Sequence, residues 1–191
     1  LLRDLLGMVR EGDIVVLAGS LPQGAPQDTY RVWTAACREK GARVCLDADG
    51  VLLAEGLKAA PYLIKPNEDE LSRLVGHRLT DTDELIAEGR RLLKGGVTRV
   101  VISLGERGAL YLRGNEVLYA EGLSVPVGST VGAGDSVVAA LAYADSLDMS
   151  DEDAVRLSTA TGAANVMCSG TQPAEQEAVE KLLTQVKIRR I

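Results

Sequence analysis

Residues 14–47, which read IVVLAGSLPQGAPQDTYRVWTAACREKGARVCLD, contain the pattern that decides the fold class. The apolar run Ile14–Ala18 is typical of a buried strand. In the stretch Asp28–Lys40 apolar residues recur at helical spacing, and the apolar run Ala42–Asp47 then predicts a second strand. Because two strands joined by a helix commonly form a parallel β-α-β unit, this stretch predicts an α/β fold.

The same alternation continues towards the C-terminus. The further predicted strands are Tyr62–Ile64 and Arg99–Ile102, followed by a hairpin over Ala109–Tyr119 that turns at Gly114-Asn115. The further predicted helices are Val51–Ala59, Glu68–Leu74, Asp83–Lys94, Gly134–Ala144, Asp151–Val166 and Ala174–Val186. No repeat or low-complexity linker divides the chain. We therefore expect a single domain over residues 1–191, with a doubly wound and largely parallel sheet.

The composition is that of a soluble globular protein, with 46% hydrophobic and 25% charged residues. Aromatic residues make up only 3% and Phe is absent, so Leu, Val, Ile and Ala must build the core. The formal net charge of -6 argues against a general affinity for nucleic acid backbones or anionic membranes. No apolar run approaches the roughly 20 residues that a membrane-spanning helix needs.

The cysteines and the first residues indicate the setting of the chain. Cys37, Cys45 and Cys168 have no metal-ligand spacing, which predicts buried free thiols in a reducing, cytoplasmic compartment. No signal peptide is visible. The stretch Leu1–Leu6 is typical of a helix already in progress, and no initiator Met precedes it. We therefore expect that the chain was cut from a longer protein.

The segment Thr130–Asp135, TVGAGD, is the strongest candidate for chemistry. Its glycines allow close approach of a ligand to the backbone. If Gly132, Ala133, Gly134 and Asp135 begin a helix, their N–H groups and the helix dipole form an anion site suited to a transferring phosphoryl group. The carboxylate of Asp135 can then accept the proton of an attacking hydroxyl. A glycine-rich helix start with Asp135 as a capping acid would have the same pattern.

A second candidate is the segment Lys65–Glu70, KPNEDE, at the end of a predicted strand. Pro66 excludes regular helix before Asn67, and Asn67 can cap the helix that follows. Asn67 and Glu70 lie on the same side of a first helical turn, where their oxygens can together hold a hydrated Mg²⁺. The alternative is a capping box with exposed acids, which has the same spacing.

A third candidate is the segment Ser103–Ala109, SLGERGA, which also follows a predicted strand. Gly105 and Gly108 leave room for a flat ligand or a phosphate chain against the backbone, although an ordinary β-turn has a similar composition. The single histidine, His77, has no acid or cysteine at ligand spacing and is predicted to lie on the surface. No GxxxxGK[ST] motif is present, so a P-loop is excluded.

These segments resemble, in order, three signature elements of the PfkB/ribokinase family of carbohydrate kinases: KPNxxE, SLGxxGA and DTxGAGD. One departure is Ser129, which stands where the family has Asp or Asn. The turn Gly19–Gly24, GSLPQG, and the segment Thr161–Asn165 are also similar to family elements. The resemblance runs from Gly19 to Ile188 and implies a ribokinase-like sheet with helices on both faces. The family's N-terminal part, with an early sugar-binding element and a β lid, has no counterpart here.

The resemblance implies a role for each candidate residue. Asp135 would be the catalytic base, and Gly132, Ala133 and Gly134 would form the anion site. Asn67 and Glu70 would organise Mg²⁺. The residues implied in binding ATP are Lys65 at the phosphates, Ser103, Gly105 and Gly108 at the border of the site, and Asn165 at the adenosine. Many relatives also use a monovalent cation, which carbonyl groups around Ser129 and Val131 could bind.

The implied function is ATP-dependent phosphorylation of a sugar phosphate. Within the family the chain is most similar to the 1-phosphofructokinase and tagatose-6-phosphate kinase branch, which favours conversion of fructose 1-phosphate to fructose 1,6-bisphosphate. Tagatose 6-phosphate, ribose or a nucleoside are alternative substrates, because the residues that choose the sugar lie outside this sequence. A chain that binds nucleotide without catalysis is a further alternative. Relatives often form homodimers, so a homodimer is also expected.

Overall fold

The computed structural model describes residues Leu1–Ile191 and contains one seven-stranded sheet. The strands are β1 Ile14–Ala18, β2 Arg43–Asp47, β3 Leu63–Ile64, β4 Arg99–Ser103, β5 Gly108–Arg113, β6 Glu116–Glu121 and β7 Ile188–Arg190. They lie in consecutive order, parallel from β1 to β4 and antiparallel from β4 to β7. The predicted α/β class and the predicted hairpin turning at residues 114–115 are confirmed.

Eight helices cover both faces of the sheet, as the resemblance implied. They are α1 Leu2–Met8, α2 Thr29–Glu39, α3 Gly50–Leu57, α4 Glu68–Val75, α5 Thr82–Lys94, α6 Ala133–Ser146, α7 Asp151–Met167 and α8 Gln176–Leu183. Alternate residues of a strand supply the two hydrophobic clusters. In β2, Val44 and Leu46 pack in the cluster that includes residues of α2 to α5, whereas Cys45 packs in the cluster that includes residues of α6 to α8.

The C-terminal segment differs from the prediction. The last helix was predicted over Ala174–Val186 but occupies only Gln176–Leu183, and the chain then forms β7 antiparallel to β6. Strand β7 contains only three residues, two of which are arginines, so it has no apolar alternation that could reveal it. It is held instead by pairing with β6 and by the ion pair between Arg190 and Glu116, whose atoms are 2.7 Å apart.

A group of ion pairs, centred on the buried residues Arg99 and Asp145, ties the turn between α6 and α7 to the amino end of β4. The guanidinium of Arg99, at the start of β4, contacts Asp145 near the end of α6 and lies 2.5 Å from Asp151 at the start of α7. Arg113 also reaches Asp151, at 2.7 Å. The ring of Tyr62 lies 5.7 Å from the guanidinium of Arg99. These contacts fix the end of α6 that is remote from Gly132.

All three cysteines are free; Cys37 and Cys45 are buried, whereas Cys168 is partly exposed. Burial raises the pKa of the Cys45 thiol to about 12, which leaves it protonated and unreactive at neutral pH. His77 lies on the surface, as predicted. None of the helices combines the length and apolarity required to cross a bilayer.

Candidate active site

The candidate residues gather at the carboxyl edge of the parallel strands, where ligands bind in open α/β sheets. Asp47 ends β2, Lys65 follows β3 and Ser103 ends β4. The start of α6 reaches the same edge, because a β-carbon added at Gly134 would lie 2.8 Å from Lys65 Nζ. Two segments that are distant in sequence, KPNEDE and TVGAGD, therefore meet at one place.

The turn that begins α6 presents free backbone donors. Gly132 is the N-cap residue and has a φ of 87°, a left-handed conformation that favours glycine. The N–H groups of Gly132, Gly134 and Asp135 donate no hydrogen bond within the chain, and the N–H of Ala133 makes only a long contact of 3.4 Å to Thr130. Such free donors at the positive end of a helix dipole suit a phosphoryl group. The carboxylate of Asp135 stands in the first turn and is exposed.

Beneath this turn lies a buried pair of opposite charge. The Lys65 side chain is only 8% exposed, and its Nζ is 3.5 Å from Asp47 Oδ1. Burial raises the pKa of Asp47 above its ordinary value; Lys65 opposes that rise, and the carboxylates of Glu70 and Asp135 add to it. Asp47 thus holds the ammonium of Lys65 against Gly134, where its charge adds to that of the free N–H groups.

Asn67 and Glu70 form the capping box that the sequence allowed as an alternative. Asn67 Oδ1 accepts a hydrogen bond from the Glu70 N–H at 2.8 Å, and Glu70 Oε2 accepts one from the Asn67 N–H at 2.9 Å. Glu70 Oε1 remains available to a ligand. No group of three or more His, Cys, Asp or Glu side chains could hold a metal by itself. The residues present therefore fit a hydrated Mg²⁺ bound mainly by nucleotide phosphates, and this role stays a prediction.

The segment after β4 lies beside the capping box. The Ser103 N–H donates to the Pro66 carbonyl at 3.0 Å, and Asn67 and Ser103 form a parallel bridge. Gly105 has a φ of 60° and open space where a side chain would project. Gly108 differs, because a β-carbon there would lie 2.0 Å from the Ala120 carbonyl oxygen. Packing against β6 explains the glycine at position 108, so this residue gives no evidence of space for a ligand.

Asn165 is directed inward. It lies on α7, is 3% exposed, and its Nδ2 donates to the Gln172 carbonyl at 2.9 Å. Its carboxamide faces Gly132, since a β-carbon added there would be 3.6 Å from Asn165 Oδ1. This position favours a role behind the Gly132 turn over the predicted contact with adenosine.

Two features of the site had only a weak signal in the sequence. Asp47 ends one predicted strand and Lys65 follows the next, and this placement is the signal in the sequence for their pairing. The ion pair between Arg107 and Glu68, whose atoms are 2.5 Å apart, joins the SLGERG and KPNEDE segments. These two residues are 39 positions apart, so only the fold brings them together.

The chain is similar in sequence to known proteins of one family. The sequence model of the pfkB family of carbohydrate kinases matches residues 2–178. The 1-phosphofructokinase of Bacillus subtilis is 38% identical over 186 residues, which are 96% of this chain and 60% of that protein. The 1-phosphofructokinase of Haemophilus influenzae is 36% identical over 189 residues, which are 98% of this chain and 60% of that protein.

Solved structures of related kinases also superimpose on this chain. Phosphofructokinase-2 from Escherichia coli in complex with potassium superimposes with a TM-score of 0.90 and 32% identity, over 96% of this chain and 61% of that one. The same enzyme in complex with substrates and products gives a TM-score of 0.90 and 32% identity, over 95% and 60% of the two chains. The chain thus spans about 60% of the length of the relatives it matches.

Proposed function

The chain belongs to the pfkB family of carbohydrate kinases, and from this premise we propose that the complete protein transfers the γ-phosphoryl group of ATP to a hydroxyl of a sugar phosphate. The observation that carries the proposal is the meeting of Lys65 with the Gly132–Asp135 turn. It combines a buried ammonium, free N–H donors and an exposed carboxylate at one edge of the sheet. These are the parts that phosphoryl transfer to a hydroxyl requires.

In the proposed reaction each residue has a distinct task. The sugar hydroxyl oxygen forms a bond to the γ-phosphorus as the bond to the leaving oxygen of ADP breaks, and the hydroxyl proton passes to the carboxylate of Asp135. The N–H groups of Gly132 and Gly134 donate to the oxygens of the transferring group, where negative charge is concentrated. The ammonium of Lys65 adds positive charge from beneath the turn.

The proposed cofactors are Mg²⁺ and a monovalent cation. Mg²⁺ would neutralise charge on the ATP phosphates, and Glu70 with Asn67 would help to orient its hydration shell. For the monovalent cation, support comes from the relative solved in complex with potassium. The cation would be bound by carbonyl groups of the loop around Ser129 and Val131. This loop is held against the end of α7, because the N–H groups of Gly128 and Ser129 both donate to the Val166 carbonyl.

We further propose fructose 1-phosphate as the substrate and fructose 1,6-bisphosphate as the product. Support comes from the relatives named 1-phosphofructokinase, which reach 38% identity over 96% of the chain. Tagatose 6-phosphate or another sugar or nucleoside would use the same residues, since Asp135 acts only on the attacking hydroxyl and the other groups act on the phosphates of ATP, which all these acceptors share. By similarity to these metabolic kinases, we also propose that the protein is cytoplasmic and forms a homodimer. One relative has been solved in a tetrameric, inhibited form.

A second candidate function is nucleotide binding without catalysis, which is favoured by the 60% coverage of the relatives. Calorimetry with Mg-ATP and a kinase assay, both on the 191-residue chain, test this candidate for the chain by itself. We expect Mg-ATP to bind, and Gly134→Ala to weaken binding about tenfold because the added methyl displaces the Lys65 ammonium from the phosphate site.

The matched control is Gly7→Ala in helix α1, where the added methyl meets open space. This variant should bind Mg-ATP like the parent chain. Equal binding by the Gly134 and Gly7 variants would remove the main support for the phosphate site. Binding without turnover would favour the second candidate, whereas turnover of a sugar phosphate by the 191-residue chain would exclude it.

A further inference from the structure

Asn165 is the one buried polar side chain near the site whose hydrogen bonding is incomplete. Four buried side-chain atoms have no hydrogen-bond partner: Thr34 Oγ1, Arg99 Nε, Asp145 Oδ2 and Asn165 Oδ1. The Arg99 and Asp145 atoms lie at the amino end of the sheet, and Thr34 lies within α2. Only Asn165 Oδ1 faces the Gly132 turn.

The carboxamide of Asn165 is held rigidly from behind. Its Nδ2 donates to the Gln172 carbonyl at 2.9 Å, which connects α7 to the segment that follows it. Its backbone carbonyl accepts the Cys168 N–H at 2.9 Å, which closes the last turn of α7. The side chain therefore cannot withdraw from Gly132 without breaking the bond to Gln172.

The same end of α7 also holds the loop that leads into the turn. The N–H groups of Gly128 and Ser129 donate to the Val166 carbonyl at 2.8 and 3.1 Å. A β-carbon at Gly128 would lie 2.5 Å from the Cys168 carbonyl oxygen, so the loop packs tightly there. Backbone contacts thus fix residues 128–129, and the next residue that faces α7 is Gly132, where an added β-carbon would lie 3.6 Å from Asn165 Oδ1.

We propose that Asn165 is a positioning residue, which supports the Gly132 turn from inside the protein so that its free N–H groups keep their direction towards the phosphoryl group. This inference rests on the proposed function for its effect on catalysis. An amide oxygen that is buried without a donor is unfavourable for stability, and an apolar residue would pack there without that cost. Packing in the core therefore does not explain an amide at this position, whereas the placement of its oxygen towards Gly132 does.

The two roles considered for Asn165 predict opposite kinetic results. In the complete protein, Asn165→Ala should lower kcat by about 10-fold or more while KM for ATP changes by less than about 3-fold, because small misplacements of catalytic groups slow the chemical step. A contact with adenosine would instead raise KM for ATP and leave kcat unchanged. An increase in KM alone, or no change in either constant, would overturn the proposal.

The matched control is Ser158→Ala, which removes a buried polar group from the same helix but away from the turn. Ser158 is fully buried and bonds to the Tyr111 hydroxyl at 3.0 Å. This variant should lose stability and keep kcat. If Asn165→Ala does not fold, Asn165→Leu keeps a similar volume, removes the carboxamide without adding a charge, and is expected to show the same fall in kcat.

Amide hydrogen exchange supplies a readout that does not depend on activity. The Ser136 N–H donates to the Gly132 carbonyl at 2.9 Å and reports whether the turn is formed. Its exchange should accelerate in the Asn165 variants and not in Ser158→Ala. Unchanged exchange at Ser136 in both Asn165 variants would refute the positioning role, whether or not the protein phosphorylates a sugar. Faster exchange in a protein that shows no turnover would refute only the proposed function.

Discussion

Asp135→Asn is expected to lower kcat of the complete protein by about 100-fold or more and to leave the affinity for Mg-ATP within about 3-fold. The amide keeps the shape of the side chain but cannot accept the hydroxyl proton as the bond to phosphorus forms. The affinity should persist because the free N–H groups of the turn and the ammonium of Lys65 are unchanged. Steady-state kinetics and calorimetry measure the two quantities.

A matched control for this substitution exists on the neighbouring helix. Asp153 occupies the third position of α7, as Asp135 does in α6, and both residues are exposed. Both substitutions remove one negative charge near a helix N-terminus, which costs about 0.3–1 kcal/mol of stability in each case. Asp153 accepts the Ser150 hydroxyl at 2.7 Å, a bond that an amide oxygen can keep, so Asp153→Asn should fold and retain full kcat. Near-normal turnover of Asp135→Asn would contradict the role of Asp135 as the base.

The second large effect concerns stability. Asp145→Ala is expected to lower the free energy of unfolding by about 3 kcal/mol, because the buried guanidinium of Arg99 keeps only the partly exposed Asp151 as a partner. Asp145 is 5% exposed and Arg99 is 7% exposed, so water cannot replace the lost carboxylate. Urea unfolding, monitored by circular dichroism, measures the change if the transition is two-state.

Two comparisons separate this effect from a general cost of removing an aspartate. Asp28 forms an ion pair of 2.5 Å with Arg31, but both side chains are partly exposed, so Asp28→Ala should cost less than about 1 kcal/mol. Replacing the buried pair together, with Arg99→Met and Asp145→Leu, should recover a large part of the loss because no charge is left unpaired. A cost below about 1 kcal/mol for Asp145→Ala would show that the buried pair does not anchor α6.

The regular part of the fold could be predicted from the sequence because its signals are local. The run Ile14–Ala18 became β1 at the same residues, and the turn at residues 114–115 was recognised from Gly-Asn between two apolar runs. Strand β7 could not be recognised, since its three residues pair with β6 through contacts that are distant in sequence. The short strand β3 and the starts of most helices were placed to within one or two residues.

The candidate site was predictable in its members and less so in its arrangement. Asp135 and Lys65 were identified by their motifs, but their closeness depends on how α6 crosses the sheet, and no local pattern encodes that. Asn165 was interpreted as a contact of the nucleotide, whereas its burial depends on the loop around Gln172. Gly108 was interpreted as space for a ligand, and the space is filled by the backbone of β6.

The central claim is that the complete protein carries out phosphoryl transfer from ATP to a sugar phosphate. The most direct measurement incubates it with Mg-ATP and, separately, fructose 1-phosphate, fructose 6-phosphate, tagatose 6-phosphate and ribose, and detects the products by mass spectrometry. We predict ADP and fructose 1,6-bisphosphate from fructose 1-phosphate, with the other acceptors converted more slowly. Failure to transfer phosphate to any of the four acceptors, by a folded protein that binds Mg-ATP, would contradict the claim.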